Sequence, residues 1–184
     1  MTVKRAVLLS IRPEWCEKII RGKKTIEIRK TRAKIETPFK CYIYCSGKNA
    51  GRENQCWVVK SYNKDMGKTF LANGKVIGEF ICDKITKAEK GTYCILPASE
   101  TQMDVIDYVN YADEKPVYGW HISDLVIYDE PKELSEFSKP CPFGDCFMCK
   151  YHDDGTYWEP PCCNYEDWEE IKRPPQSWCY VEEL

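Results

Sequence analysis

A chain of 184 residues that is 43% apolar and 13% aromatic holds enough material for a folded domain with its own core, which excludes a disordered class. Its formal charge is only −2, yet residues 1–99 carry 21 Lys+Arg against 9 Asp+Glu, and residues 100–184 carry 6 against 20. The near-neutral total therefore leaves room for a basic nucleic-acid surface on the first half, although mutual neutralisation of the two halves is the simpler alternative. The apolar run at 6–9 is too short for an export signal and nothing later spans a bilayer, so a cytoplasmic protein without a membrane partner is expected. Twelve cysteines in such a chain point to reduced thiols or metal ligands and not to a disulfide scaffold. Cys41, Cys45 and Cys82 lie in apolar strand-like runs and read as small buried hydrophobes.

In chain order, residues 6–11 predict a strand with Val7, Leu9 and Ile11 on one face and Leu8 and Ser10 on the other. Pro13 suits the first turn of a helix and Gly22 its end, with Trp15, Cys16, Ile19 and Ile20 as the apolar stripe. Residues 24–29 predict a second strand, in which Ile26 and Ile28 alternate with Thr25, Glu27 and Arg29. That alternation assigns the isoleucines to the core and leaves Glu27 and Arg29 on a second face, free for a ligand. A third strand is predicted over 39–45. Residues 46–75 read as a long loop or irregular hairpin with a short apolar run at 56–59.

A strand over 76–85 follows, with Gly78 marking a bulge or a close backbone approach. Residues 103–111 predict a helix with Asp104 in its first turn. Residues 120–128 predict a long strand with a bulge near Ser123-Asp124. Residues 129–137 read as a solvated connector, residues 141–163 as an aperiodic cysteine-rich segment, and residues 177–181 as the last strand. Several short strands with few helices suggest a small closed or nearly closed barrel.

The segment Gly22-Lys23-Lys24-Thr25-Ile26-Glu27-Ile28-Arg29 has the spacing Gly-x-Lys-x-x-Glu-x-Arg. It resembles the signature of the ASCH domains, a branch of the PUA-like superfamily, in particular the bacterial and phage members. Leu9-Ser10-Ile11-Arg12-Pro13-Glu14-Trp15 resembles the strand-to-helix passage of the same family. The resemblance covers residues 5–135 and 173–183. It implies a mainly β (α+β) fold: a PUA-like barrel of five to six strands with two or three flanking helices, as one domain over 1–184. It also implies a cleft that receives RNA or a modified nucleobase or nucleoside, with Ser10, Arg12, Lys24, Glu27, Arg29 and Trp120 as ligand-binding candidates. Chemically, Lys24 and Arg29 can neutralise phosphate and Glu27 can accept from a base amine. Trp15, Tyr44 and Trp120 are candidate stacking rings, each with a core role as the alternative.

Some relatives are acetylcytidine amidohydrolases that use a lysine and a threonine three residues later. Here Glu27 stands at that position and Thr25 lies next door, so that covalent route lacks its nucleophile. Lys24 and Glu27 remain candidates for acid–base work in a hydrolase acting on a modified nucleoside or RNA. A protein-interaction role for the acidic half is a third class.

Outside the resemblance, residues 138–165 form a Cys-rich insertion. Cys146-x-x-Cys149 has the spacing of a metal knuckle, and Cys141 with Cys162 would complete four thiolates for a structural zinc. Cys163 and His152 are the other candidates for the fourth ligand, and a redox dithiol or idle thiols are the rival readings.

Overall fold

The structure, a computed structural model, describes residues 5–47, 51–61, 67–89, 96–139 and 170–184. Its strands are β1 (Arg5–Ile11), β2 (Ile26–Arg29), β3 (Phe39–Cys45), β4 (Trp57–Ser61), β5 (Gly67–Leu71), β6 (Val76–Ala88), β7 (Val117–Lys132) and β8 (Trp178–Glu182). The helices are α1 (Pro13–Ile20), the short α2 (Ala98–Thr101) and α3 (Val105–Ala112). Six strands form one sheet in the order β2-β7-β6-β3-β1-β8, and β4 and β5 form a separate hairpin. The expected β-dominated α+β fold is therefore present.

The expected barrel closure takes a different form. Among the described residues no backbone ladder joins β2 to β8, the two edges of the sheet. Side chains span the gap instead: Arg29 reaches Ser177, Trp178 Nε1 donates to Thr31 Oγ1 at 2.9 Å, and Lys34 N donates to the Tyr180 hydroxyl at 2.7 Å. The sheet curls until its edges meet, and a guanidinium, an indole and a phenol close the seam.

Curling places apolar side chains on three surfaces. Val7, Leu9, Ile11, Cys41, Ile43, Cys45, Phe80 and Trp120 fill the inside together with Cys16 and Ile19 of α1. The alternate residues Ala6, Leu8, Tyr42 and Tyr44 pack outside against Phe137 and Val181. Ile26 and Ile28 pack on a third cluster with Leu96, Tyr108 and Val117. Strand β2 is thus buried on both faces. Glu27 and Arg29, expected on a second face away from the isoleucines, are therefore buried as well. The isoleucines do lie in a core, but sheet curvature also covers the opposite face.

Several local signals act as anticipated. Gly22 has φ +66°. Its N–H donates to Ile19 O at 2.8 Å and that of Lys23 to Lys18 O at 2.9 Å, the paired reverse bonds that end a helix at glycine. Asp104 caps α3 by accepting from Asp107 N at 2.8 Å. The β6–β7 pairing shifts register near Gly78 and again opposite Ser123, and Asp124 has φ +46°.

Two readings change. Residues 56–59 belong to a regular hairpin. Phe137 ends the supposedly solvated connector fully buried, its ring 4.9 Å from that of Tyr42. Among the described residues no helix is long and apolar enough to cross a membrane.

Candidate functional site

The glycine turn after α1 carries the chain straight into Lys24, whose side chain is almost fully buried. Its ammonium donates to Thr101 O at 2.6 Å, lies 3.4 Å from Glu27 Oε2, and sits 4.9 Å over the Trp15 ring. Thr101 closes α2, where terminal carbonyls lack helical partners and the helix dipole favours a cation. Lys18 serves the same end by donating to Gln102 O at 3.1 Å. Burial pushes the Lys24 pKa down, and Glu27 opposes that shift.

Two residues further along β2 than Glu27, Arg29 shares its face and reaches Glu27 Oε1 at 2.9 Å. One terminal nitrogen donates to Ser10 O at 2.8 Å, and the other to Ser177 O at 3.2 Å and Ser177 Oγ at 3.3 Å. Glu27 is thus clamped between two cations, the arrangement a buried carboxylate requires. Trp120 pairs directly with Glu27 across β2 and β7, so both project from the same face. Its ring lies 5.6 Å from Phe39 and 5.7 Å from Trp178.

Among the described residues, two buried side-chain nitrogens have no hydrogen-bond partner, Arg29 Nε and Trp120 Nε1. Both belong to this face. Buried N–H groups rarely go unpaired, and here two lie on one face.

The anticipated candidates divide accordingly. Lys24, Glu27, Arg29 and Trp120 come together, joined by Ser10 through its backbone carbonyl. The Ser10 hydroxyl itself donates to Pro175 O at 2.6 Å. Arg12 stands apart, exposed and 3.9 Å from Glu14. Tyr44 is buried on the opposite face of the sheet and is not part of the site. Trp15 is half-buried, with Lys18 4.3 Å over its ring.

Lys24 and Arg29 are engaged within the protein, whereas Lys23, Lys30, Arg32 and Lys34 are exposed. Thr101, Ser177, Thr31 and Trp178 complete the cluster and were missed in the sequence.

The anticipated zinc ligands Cys141, Cys146, Cys149 and Cys162, with Cys163 and His152, lie outside the described residues. Among the described residues no group of three or more His, Cys, Asp or Glu side chains is placed to hold a metal. The flanks of the insertion do meet: Ser138 bridges Glu170, and Ile171 N donates to Phe137 O at 2.9 Å. The described residues on either side of 140–169 are thus neighbours in the fold.

No protein-family model and no curated protein matches the sequence. Among solved structures, the crystal structure of ASCH from Zymomonas mobilis is similar at 15% identity and TM-score 0.53, over 95% of this chain and 86% of that one. A tyrosine-to-phenylalanine variant of the same protein matches at 14% identity and TM-score 0.52, over 96% and 90%. At this identity the likeness speaks for the fold. The chain has the fold of these ASCH structures.

Proposed function

We propose that this chain is an RNA-binding or modified-nucleotide-binding module whose site is the face of Lys24, Glu27, Arg29 and Trp120. The observation that carries this reading is the pair of buried, unpartnered donors, Arg29 Nε and Trp120 Nε1, on the face that also presents Glu27. A base edge offers ring-nitrogen and carbonyl acceptors beside an amine donor, which complements two N–H groups and a carboxylate. Access runs along the β2–β8 seam, where Ser10, Ser177 and Trp178 are only half-buried and Lys30, Arg32 and Lys34 stand exposed. In this reading the chain is a single domain, and its Cys-rich segment binds a structural zinc through Cys141, Cys146, Cys149 and Cys162.

A hydrolase acting on a modified nucleoside or RNA is the second reading. It is favoured by Lys24, a lysine with a lowered pKa 3.4 Å from a carboxylate, which is suited to move protons. The test is a panel of single-stranded RNA oligonucleotides and modified nucleosides, read for binding and for turnover. Binding that weakens with salt, with a preference among bases, is expected. Glu27→Gln should alter that preference and leave the salt dependence alone, because phosphate contacts position and base contacts specify. Turnover lost in Glu27→Gln would favour the hydrolase. No binding at low salt would end the nucleic-acid reading.

A further inference from the structure

Helix α3 lies outside the site described above, and its underside fixes it to the sheet. Tyr108 is buried with Ile26, Ile28, Leu96 and Val117, and Met103, Tyr111 and Ala112 pack against the same cluster. Tyr111 also donates to Ile28 O at 3.3 Å, and Asp104 caps the first turn through Asp107 N. Eight residues are too few for a helix that is stable by itself, so this packing and this cap hold it.

The opposite side of the helix is apolar and open to water. Val105 is 56% exposed, Ile106 74% and Val109 59%. Val105 and Val109, four positions apart, stand one above the other, and Ile106 lies about a quarter-turn round from them. Folding does not account for these three. β-Branched residues are poor helix formers, and at solvated positions they gain no packing in return. Three together on one helix face form a patch and not a scatter of single residues, which marks a surface kept for a partner.

Charge selects the partner. Asp104 and Asp113 cap the two ends of the helix, and Asp107 lies just beyond Ile106 on the flank of the stripe. All three are exposed, and among the described residues none of them has an ion-pair partner. Residues 100–115 hold five carboxylates and one lysine, Lys115. Lys30 sits over the Tyr111 ring, on the side of the helix away from the stripe. An apolar middle with acidic ends repels a polyanion and complements an apolar surface set among lysines and arginines.

We infer that the exposed face of α3, centred on Ile106, docks a basic amphipathic helix of a partner protein. Val105, Ile106 and Val109 meet its apolar ridge in the ridge-to-groove manner of helix pairs. Asp104, Asp107 and Asp113 face its lysines or arginines. This surface is separate from the nucleic-acid face and does not depend on that reading.

The probe is a labelled peptide of about 15 residues, long enough to form a helix when bound, with leucines at helical spacing and lysines between them. It is titrated into the full chain at low salt beside two controls of equal length, one of leucines with glutamates and one of lysines with serines. Only the leucine–lysine peptide should bind. Ile106→Ser/Val109→Ser should weaken it about tenfold or more, as loss of central apolar anchors does. Asp107→Asn/Asp113→Asn should weaken it about threefold and flatten its salt dependence. Both variants should keep the wild-type melting temperature, since the changed side chains are exposed. Binding that ignores Ile106→Ser/Val109→Ser would move the contact to another surface and overturn the assignment. Equal binding of either control would mean that charge or apolar area acts alone, and would overturn the choice of partner. A concentration-dependent dimer abolished by Ile106→Ser/Val109→Ser, with no peptide bound, would assign the face to a second copy. Neither peptide binding nor a dimer would remove the proposal altogether.

Discussion

Arg29 donates to the carbonyl of Ser177, 148 positions away, at 3.2 Å, and in doing so ties together the two edge strands of the sheet. The same guanidinium holds Ser10 O and the Glu27 carboxylate. Arg29→Ala should therefore destabilise the protein by roughly 3–5 kcal/mol, because it strands a buried carboxylate and opens the seam. Arg29→Lys should recover only part of this, since an ammonium cannot reproduce the planar fork. Urea denaturation of both variants provides the check. A loss below about half a kcal/mol, the scale of a surface change, would show that the seam holds without the guanidinium.

The buried thiols make a prediction about alkaline pH. Cys16, Cys41, Cys45, Cys56 and Cys82 are buried and free. Burial pushes Cys82 up to about 12 and Cys179 to about 11. For Cys45 and Cys56 the largest push is a thiol–thiol hydrogen bond, from Cys16 and Cys45 respectively. The folded chain therefore keeps protons that the unfolded chain releases from about pH 8.5 upward. Stability from these groups is complete below that pH and is lost as pH rises through the folded values. Lys24 acts in the opposite sense over its own range, but it is one group against several. The denaturation midpoint should stay level to about pH 8 and fall steadily by pH 10, and Cys82→Ala should make the fall shallower. A midpoint independent of pH over that span would contradict the buried-thiol assignment.

Local chemistry was legible in the sequence wherever it was decided locally. Pro13 and Gly22 bound α1, Asp104 caps α3, and Cys41, Cys45 and Cys82 are the buried thiols their apolar surroundings implied. The grouping of Lys24, Glu27 and Arg29 was legible too. Their burial was not, because it depends on α2 docking against β2 and on the curl that brings Ser177 to Arg29. Neither contact leaves a periodic trace. Phe137 was misread for a similar reason: one apolar residue after a run of carboxylates gives no pattern, and its partner Tyr42 lies far away in the chain.

Gly78 and Gly119 offer a contrast. A Cβ at Gly78 would lie 2.3 Å from Val126 O and 3.1 Å from Ile127 Cα, both backbone atoms locked in the β6–β7 pairing. At Gly119 the nearest neighbours are side-chain carbons, Leu96 Cδ1 at 2.7 Å and Ile26 Cγ2 at 2.9 Å. Side chains can turn aside and a paired backbone cannot. Gly78→Ala should cost about 1–3 kcal/mol, and Gly119→Ala should cost less. Thermal denaturation of the two variants side by side measures the difference, and the reverse order would mean that the bulge at Gly78 can shift.

The zinc proposal stands on cysteine spacing. Protein purified with zinc available should contain about one ion per chain, the stoichiometry of a four-thiolate site. Cys146→Ser/Cys149→Ser should lose the metal and become protease-sensitive between residues 138 and 165. The six-stranded sheet should survive, since its strands lie outside that interval. Elemental analysis is decisive, and metal-free protein would remove the proposal.

The loop after β2 provides the last test. Lys30, Arg32 and Lys34 are exposed there, and Lys30 is further held 5.4 Å over the Tyr111 ring. Tyr111 in turn donates to Ile28 O at 3.3 Å, so the loop's first cation is anchored to the strand that carries Glu27 and Arg29. A single strand with one base at the Glu27 face would leave along the β2–β8 seam and pass this loop. Each phosphate neutralised there should add about 0.7 to the slope of log affinity against log salt. Replacing Lys30, Arg32 and Lys34 together with alanine should flatten that slope by up to roughly 2 and weaken all sequences alike. Base preference should not move, because none of the three faces the carboxylate. RNA titrations at several salt concentrations separate these effects. An unchanged slope would mean that the strand leaves by another route, and a changed base preference would move these cations into the site itself.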